Sequence, residues 1–429
     1  MLQPIYHYTL NFIAALVYGF PSNKITVVGV TGTTGKTTVV YMTAKLLENA
    51  GYRVGHTSTA MFSDGEREWL NDKKMTMLGR FFTQKMLYKM VKNGCNVAIV
   101  ETTSEGLVQH RHRFINYDIA VFTGLYPEHI DSHGSFENYK KAKQKLFEHV
   151  GKCKKKEIRE QKDHKVIIVN MDDDYAEDFI GYDADLKIGF TKNKNKKTQD
   201  SSVEEILYEY QGASKEGTQF LFDGQDIKLK ILGEFNALNA TAAGCIGKAL
   251  SVNNNLIKEG LEKITNLPGR IEKIDEGQNF NVIVDYAFEP VAVTKLYETI
   301  SVMEPRKIIH VLGSTGGGRD IARRSELGKI AGEKADYVII TNEDPYDDNP
   351  TDIIADVAQG VKEKGKNEDK NLFLIEDRRC AIEKAISLAQ KNDVVLITGK
   401  GSEQAIAGPD GVLLPWDDRT VVREALQKN

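Results

Sequence analysis

Cysteine is scarce in this chain of 429 residues: Cys95, Cys153, Cys245 and Cys380 lie far apart and form no Cys-x-x-Cys pair. That argues against a disulfide framework and against a cysteine-built zinc site, and it suits reduced thiols in a cytoplasmic protein. Charge bias is missing too. The 57 basic and 61 acidic side chains leave a net charge of −4, so nothing directs the chain to nucleic acid. No apolar run reaches the length of a membrane span. The N-terminal apolar stretch, Leu10 to Phe20, is short and contains Asn11. It lacks the basic start and small-residue cleavage site of a signal peptide. Residues 1–23 therefore read in one of two ways. They form a helix packed on the domain that follows, or an amphipathic helix touching a membrane or a lipid-linked substrate.

What the sequence does contain is an α/β rhythm. From Lys24 onward, short β-branched runs alternate with helical stretches: KITVVGV, NVAIVET (96–102), YDIAVFTG (117–124), HKVIIVNMDDD (164–174) and LKIGF (186–190). Such alternation predicts a mostly parallel sheet with helices on both faces. Residues 191–202 read as a polar surface loop, 203–232 as short antiparallel strands, and 236–251 as a helix. NLPGRIEKI then joins Pro and Gly, and the rhythm restarts with NVIVDYA, KIIHVLGS, DYVIITNE, LFLIED and DVVLITGKG. The expected organisation is a short helical segment (1–23), a central P-loop domain (24–268) and a smaller Rossmann-like C-terminal domain (269–429), all of class α/β.

The stretch VVGVTGTTGKTTVV sets Gly32, Thr33, Thr34, Gly35, Lys36, Thr37 and Thr38 between a strand and a helix. Glycines let backbone N–H groups close around phosphate oxygens, and the helix N-terminus adds partial positive charge. Lys36 is placed to reach the β- and γ-phosphates of ATP, and the Thr37 hydroxyl to bind Mg²⁺. The pattern is a variant: five residues before Gly35 stands Val30, and the glycine is Gly29. Glu101 ends the next strand, and Glu128, His129, Asp131, His133 and Lys143 follow another. In an open α/β sheet ligands gather at the carboxyl ends of strands. A carboxylate and a neutral imidazole there, Glu101 and His129, can hold a second Mg²⁺ beside the γ-phosphate.

Eight motifs in order, TGTTGKTT, ETTSEGL, PEHIDSHGSFENYKKAK, GEFNALNATAA, LPGRIEKI, DYAFEP, TNEDP and GKGSE, together resemble the Mur ligases. These are the ATP-dependent amino-acid ligases of cell-wall peptide synthesis. The resemblance is to the tripeptide-forming branch, and it runs from about residue 24 to the end. It implies ATP and Mg²⁺ as cofactors. It assigns Lys36 and Thr37 to phosphate and metal, Glu101 and His129 to magnesium, and Lys143 to the lysine that the family carbamylates. Lys36, Lys143 and His129 become the catalytic group. Asn236 and Asn239 fall on the segment that contacts the adenine side, and Arg270 and Asp285 on nucleotide contacts of the C-terminal domain, with a hinge near Pro268. Thr76, Thr102, Ser104, Arg319, Asp344, Tyr346 and Glu403 fall on the substrate-binding positions. The implied substrates are an amino acid and a muramoyl-peptide acceptor, the implied chemistry an acyl phosphate attacked by an amine, and a monomer is the expectation.

The chain departs from the family pattern in four places. Only about 23 residues precede the first core strand, where the family carries a domain for the UDP portion, so the uridine is held differently or the carrier is not UDP-linked. The DNPR of the meso-diaminopimelate branch reads EDPY here, with Tyr346 for the arginine that clamps the distal carboxylate. Tyr cannot reproduce a bidentate contact, so lysine or another amino acid without a second carboxylate is expected. GKGHE reads GKGSE, and DYAHTP reads DYAFEP. Glu403, which is kept, can bind an amino-acid ammonium. Alternative readings are a folylpolyglutamate synthase, a pseudomurein ligase, a ligase for a lipid-linked wall precursor, or a nucleotide-dependent switch without ligase chemistry.

Overall fold

The runs VVGV, VAIV, IAVF and VIIV are buried throughout, as parallel strands covered on both faces must be. The computed structural model describes residues 2–128, 130–158, 161–162, 164–194, 198, 200–318 and 321–428; the side chains of 2–5, 130–131 and 161–162 fall outside that description. The chain divides into two units, Met1–Thr265 and Asn266–Asn429.

The first unit is built on an 11-stranded sheet. Its core runs, in spatial order, Val203–Ser214, Leu186–Thr191, Val166–Asn170, Ile119–Phe122, Thr26–Thr31, Val97–Glu101 and Val54–Thr57, each parallel to its neighbours. Two antiparallel strands extend each edge: Gly217–Phe222 and Gln225–Leu229 on one side, Met61–Ser63 and Glu68–Leu70 on the other. Thr26–Thr31 sits at the point where the chain changes direction across the sheet. Val30 is level with both Glu101 and Val121, so the segments after these three strands emerge together at one end.

Three sequence expectations change in this unit. Residues 203–232 do not form only short antiparallel strands: Val203–Ser214 is a 12-residue strand whose first half joins the sheet in parallel and whose second half turns into a hairpin. Gly29 belongs to packing within its strand: a Cβ there would lie 2.9 Å from the Tyr117 ring and 3.1 Å from Leu146. The loop read over 191–202 lies partly outside the described residues, and its first residue closes the strand Leu186–Thr191. The N-terminal helix Leu2–Val17 lies against the helix Arg80–Lys92, burying Asn11, Ala14 and Ala15.

The second unit carries a six-stranded sheet in the order Glu272–Ile274, Asn281–Asp285, Val394–Thr398, Ile308–Leu312, Tyr337–Ile340 and Leu372–Leu374. All its pairings are parallel except the first. Helices Pro290–Ser301, Ile321–Lys334 and Pro350–Glu363 cover one face, and Arg378–Leu388 and Asp418–Lys428 the other, giving two apolar layers. Arg378 is fully buried. Its guanidinium donates to both oxygens of Asp418, at 2.8 and 2.7 Å, and to the Thr398 and Asn342 carbonyls. That pair fastens the C-terminal helix to the ends of two strands.

Candidate active site

The loop after Thr26–Thr31 is shaped by its glycines. Gly32 has φ 150° and Gly35 φ 80°, in the region that favours glycine. A Cβ on Gly32 would sit 2.0 Å from Thr123 Oγ1, and one on Gly35 2.4 Å from Asn239 Oδ1. Only bare backbone fits both places, which is what close approach to phosphate oxygens requires. Thr123 donates to the Thr34 carbonyl at 2.6 Å, and Tyr139 lies 3.2 Å from the Thr33 hydroxyl, so neighbouring elements hold the loop open. Lys36 opens the helix Lys36–Asn49 and folds back onto the Thr33 carbonyl at 2.7 Å. Thr38 is buried one turn in.

A chain of hydrogen bonds runs away from the loop. Thr37 Oγ1 donates to Glu101 Oε2 at 3.0 Å, and Glu101 also accepts from the Thr59 N–H at 2.8 Å and the Thr59 hydroxyl at 3.1 Å. The Thr59 hydroxyl lies 2.8 Å from that of Thr76. One hydroxyl and one carboxylate at the phosphate loop are hard oxygen donors of the kind Mg²⁺ takes. Among the described residues no group of three His, Cys, Asp or Glu forms a metal cluster. His129, expected as a second ligand, lies outside the described residues.

Lys143 comes from the helix Phe136–Lys152. It is buried, donates to the Gly32 carbonyl at 2.7 Å, and lies 4.4 Å from the centre of the Tyr139 ring. Burial, reinforced by repulsion from Lys36, holds its amine well below the usual lysine range. His133 Nε2 lies 3.1 Å from Ser104 Oγ, and burial lowers its pKa. Asn239 donates to Asn236 at 3.3 Å, and Asn236 to the Leu232 carbonyl, at the start of the helix Glu234–Ala249 beside Gly35. Thr102 behaves differently from the expectation. It is fully buried, and its hydroxyl faces the Val100 carbonyl and the Tyr117 hydroxyl, so this side chain belongs to the core.

In the second unit, Asp285 accepts from the Ile271 and Ala287 N–H groups at 2.6 and 2.7 Å, while the Arg270 guanidinium stacks 4.2 Å from the Tyr286 ring. Burial raises the Asp285 pKa and Arg270 opposes the rise. The Lys400 ammonium, fully buried, donates to Asp344 at 2.9 Å and to Glu403 at 2.6 Å. Glu403 thus already holds an ammonium group from its own chain, which the sequence reading did not foresee. Burial, with Asp344 beside it, pushes the neighbouring Glu343 up to about 7. Tyr346 has φ 51° and its ring covers Gly317, whose Cβ would lie 3.3 Å away. Arg319 lies outside the described residues; Arg323 is described, donating to Thr315 at 2.9 Å and stacking 5.3 Å from the Phe288 ring.

Thr59, Tyr139, Thr123 and Lys400 were not singled out from sequence. The signal was available for Thr59, which follows a strand end in HTSTAM, and for Lys400, the lysine of GKGSE.

A glycine-lined phosphate loop with a lysine, a hydroxyl–carboxylate pair and a buried amine on a parallel sheet define an ATP-using P-loop enzyme. Comparisons with known proteins place it further. A model of the Mur ligase middle domain matches residues 30–247, and one of the Mur ligase glutamate ligase domain matches 269–401. A UDP-N-acetylmuramyl-tripeptide synthetase of Roseiflexus sp. (strain RS-1) is 35% identical over 96% of this chain and 81% of its own. A UDP-N-acetylmuramoyl-L-alanyl-D-glutamate--2,6-diaminopimelate ligase of Caldanaerobacter subterraneus is 33% identical over 97% and 81%. A solved diaminopimelate ligase of the same name superposes with TM-score 0.61 at 27% identity, covering 94% of this chain and 79% of its own. A Mycobacterium tuberculosis folylpolyglutamate synthase shares the fold, with TM-score 0.69 at 16% identity over 98% and 94%. The chain belongs to the Mur ligase family, ATP-dependent enzymes that form amide bonds in peptidoglycan synthesis.

Proposed function

We propose that this ligase joins L-lysine, or another amino acid without a second carboxylate, to a UDP-N-acetylmuramoyl-dipeptide acceptor. The observation that carries the reading is Tyr346 where the diaminopimelate branch has arginine. Its neighbours Glu343, Asp344 and Glu403 are acidic, and the buried cations described beside them are already engaged, Lys400 with Asp344 and Glu403 and Arg378 with Asp418. A distal carboxylate finds no guanidinium fork at position 346; a distal ammonium meets no opposing arginine there.

The acceptor carboxylate attacks the γ-phosphorus of ATP, ADP leaves, and an acyl phosphate forms. The substrate amine then attacks the acyl carbon, phosphate leaves, and the amide remains. Lys36 carries the positive charge that meets the transferring phosphoryl group, and the loop amides at Gly32 to Gly35 orient it. Thr37 and Glu101 would hold Mg²⁺, which supplies charge neutralisation at the phosphates. His129 is proposed as a further ligand. Lys143 is proposed to be carbamylated. Burial and Lys36 disfavour the protonated amine, the unprotonated amine is the form that attacks carbon dioxide, and the product is an anion near the Lys36 cation. Asn236, Asn239, Arg270 and Asp285 are proposed nucleotide contacts, and Thr76, Ser104, Arg319, Asp344, Tyr346 and Glu403 proposed substrate contacts. The deciding experiment is a panel of amino acids with the muramoyl-dipeptide acceptor, read by phosphate release and product mass. Turnover with lysine and not with meso-diaminopimelate is expected; the reverse preference overturns the reading.

A further inference from the structure

We infer that the first unit docks on an anionic lipid bilayer through its N-terminal helix. Leu2–Val17 contains no Asp, Glu, Lys or Arg. One side is anchored by Asn11, Ala14 and Ala15, yet Tyr6, Phe12, Ile13, Leu16 and Val17 remain exposed, at 59, 42, 40, 57 and 64%. Single exposed apolar side chains are ordinary; half the circumference of a helix is not. No helix among the described residues is long and apolar enough to cross a membrane, so this one can lie in the interface plane but not span it.

The identity of the partner comes from the flank. Helix Arg80–Lys92 packs beside Leu2–Val17 and carries four cations and no carboxylate. Its exposed residues Phe81, Lys85, Tyr88 and Lys92 recur at helical spacing, so aromatic and cationic side chains alternate along one face. The two helices share that face: the Tyr18 and Tyr88 rings are 5.8 Å apart, and Arg80 lies 5.6 Å from the Tyr6 ring. On the other side Phe114 packs 5.4 Å from Phe12, in a segment that adds the exposed Arg113, while the Arg111 guanidinium is turned inward onto the Met77 carbonyl and Gln109. Carboxylates come in at the rim, Glu105 toward Arg111 and Glu148 toward Arg113. In a chain with more acidic than basic side chains, this concentration of cations around an uncharged apolar helix is local. Apolar insertion flanked by lysines and interfacial aromatics is the pattern that a negatively charged membrane surface selects. The occupant of this face is therefore lipid, and the proposal does not depend on which amino acid the enzyme adds.

The test is co-sedimentation of the full chain with phosphatidylcholine vesicles, with and without an equal share of phosphatidylglycerol. Binding to the anionic vesicles that weakens with salt is expected. Each cation near such a surface contributes about fivefold in partitioning. Lys85→Glu with Lys92→Glu should therefore lower binding at least tenfold, and Leu16→Glu with Val17→Glu should abolish it. Lys215→Glu, in a hairpin turn outside this face, should change nothing. All these positions are exposed, so ATP-dependent ligation of a soluble acceptor should persist and report that the variants fold. Equal binding to neutral and anionic vesicles overturns the inference, as does no binding to either. So does light scattering that shows a dimer dissociated by Leu16→Glu, which would make the face a contact between two copies.

Discussion

Thr37 and Glu101 stand 64 residues apart in the chain, yet the threonine hydroxyl donates to the carboxylate across 3.0 Å. The strand register makes the meeting unavoidable. Val30 is level with Glu101, so the residue that ends one strand faces the loop that follows the other. If this pair holds Mg²⁺, removing either partner should leave the fold intact and depress turnover. Thr37→Ala and Glu101→Gln are each expected to reduce activity or metal affinity on the order of 100-fold. Thr37→Ser should retain most of it. Phosphate release titrated against Mg²⁺ checks this.

A carbamate on Lys143 should be visible directly. Protein equilibrated with ¹³C-labelled bicarbonate is expected to show a carbamate carbonyl resonance that Lys143→Arg lacks. Lys143→Ala should lose activity, and a short carboxylic acid added to the assay should restore part of it by supplying the missing anion. Activity unaffected by Lys143→Ala would remove the residue from the chemistry.

Substrate choice is testable at one position. Tyr346→Arg restores a guanidinium where the diaminopimelate branch has one, and is expected to raise turnover of meso-diaminopimelate relative to lysine by about tenfold or more. The backbone there is already in a left-handed conformation, with φ 51°, which arginine adopts no less readily than tyrosine. The readout is the ratio of kcat/KM for the two amino acids.

Acid should destabilise the second unit. His310 is fully buried between Tyr297, 2.6 Å from Nδ1, and Thr398, 2.9 Å from Nε2. Burial, with Arg378 adding repulsion, pushes its imidazole down to about 3. An unfolded histidine titrates near 6.5, so below that pH the unfolded chain takes up a proton that the folded one refuses. Stability is then lost as pH falls from about 6.5 toward about 3, by roughly 2 kcal/mol at pH 5. Thermal unfolding at pH 7 and pH 5 should show that loss, and His310→Gln should shrink the difference between the two.

The α/β class and the phosphate loop were legible in the sequence because both rest on local signals: buried β-branched runs, and glycines followed by lysine and threonine at a strand–helix junction. The convergence of Glu101 on Thr37 was legible from the rule that parallel strands end together. Three features were not. Gly29 looks like a displaced loop glycine, but its reason is the Tyr117 ring, a contact with a residue 88 positions away that no local pattern reveals. Thr102 directly follows Glu101 and points the other way, into the core, because successive residues at a strand end alternate in direction. The pairing of Lys400 with Asp344 and Glu403 depends on loops meeting from two strands, and charge alone does not say which carboxylates a lysine will find.

The Arg378–Asp418 pair gives the last helix a standing that its position in the chain conceals. A chain trimmed before residue 418 would take the bidentate carboxylate partner from the Arg378 guanidinium, at a cost of about 3–5 kcal/mol, and would remove Val421, Val422 and Ala425 from one apolar layer of the second sheet. Residues 418–428 serve as a keystone of the smaller unit, so affinity tags and fusions are tolerated after them and not in their place.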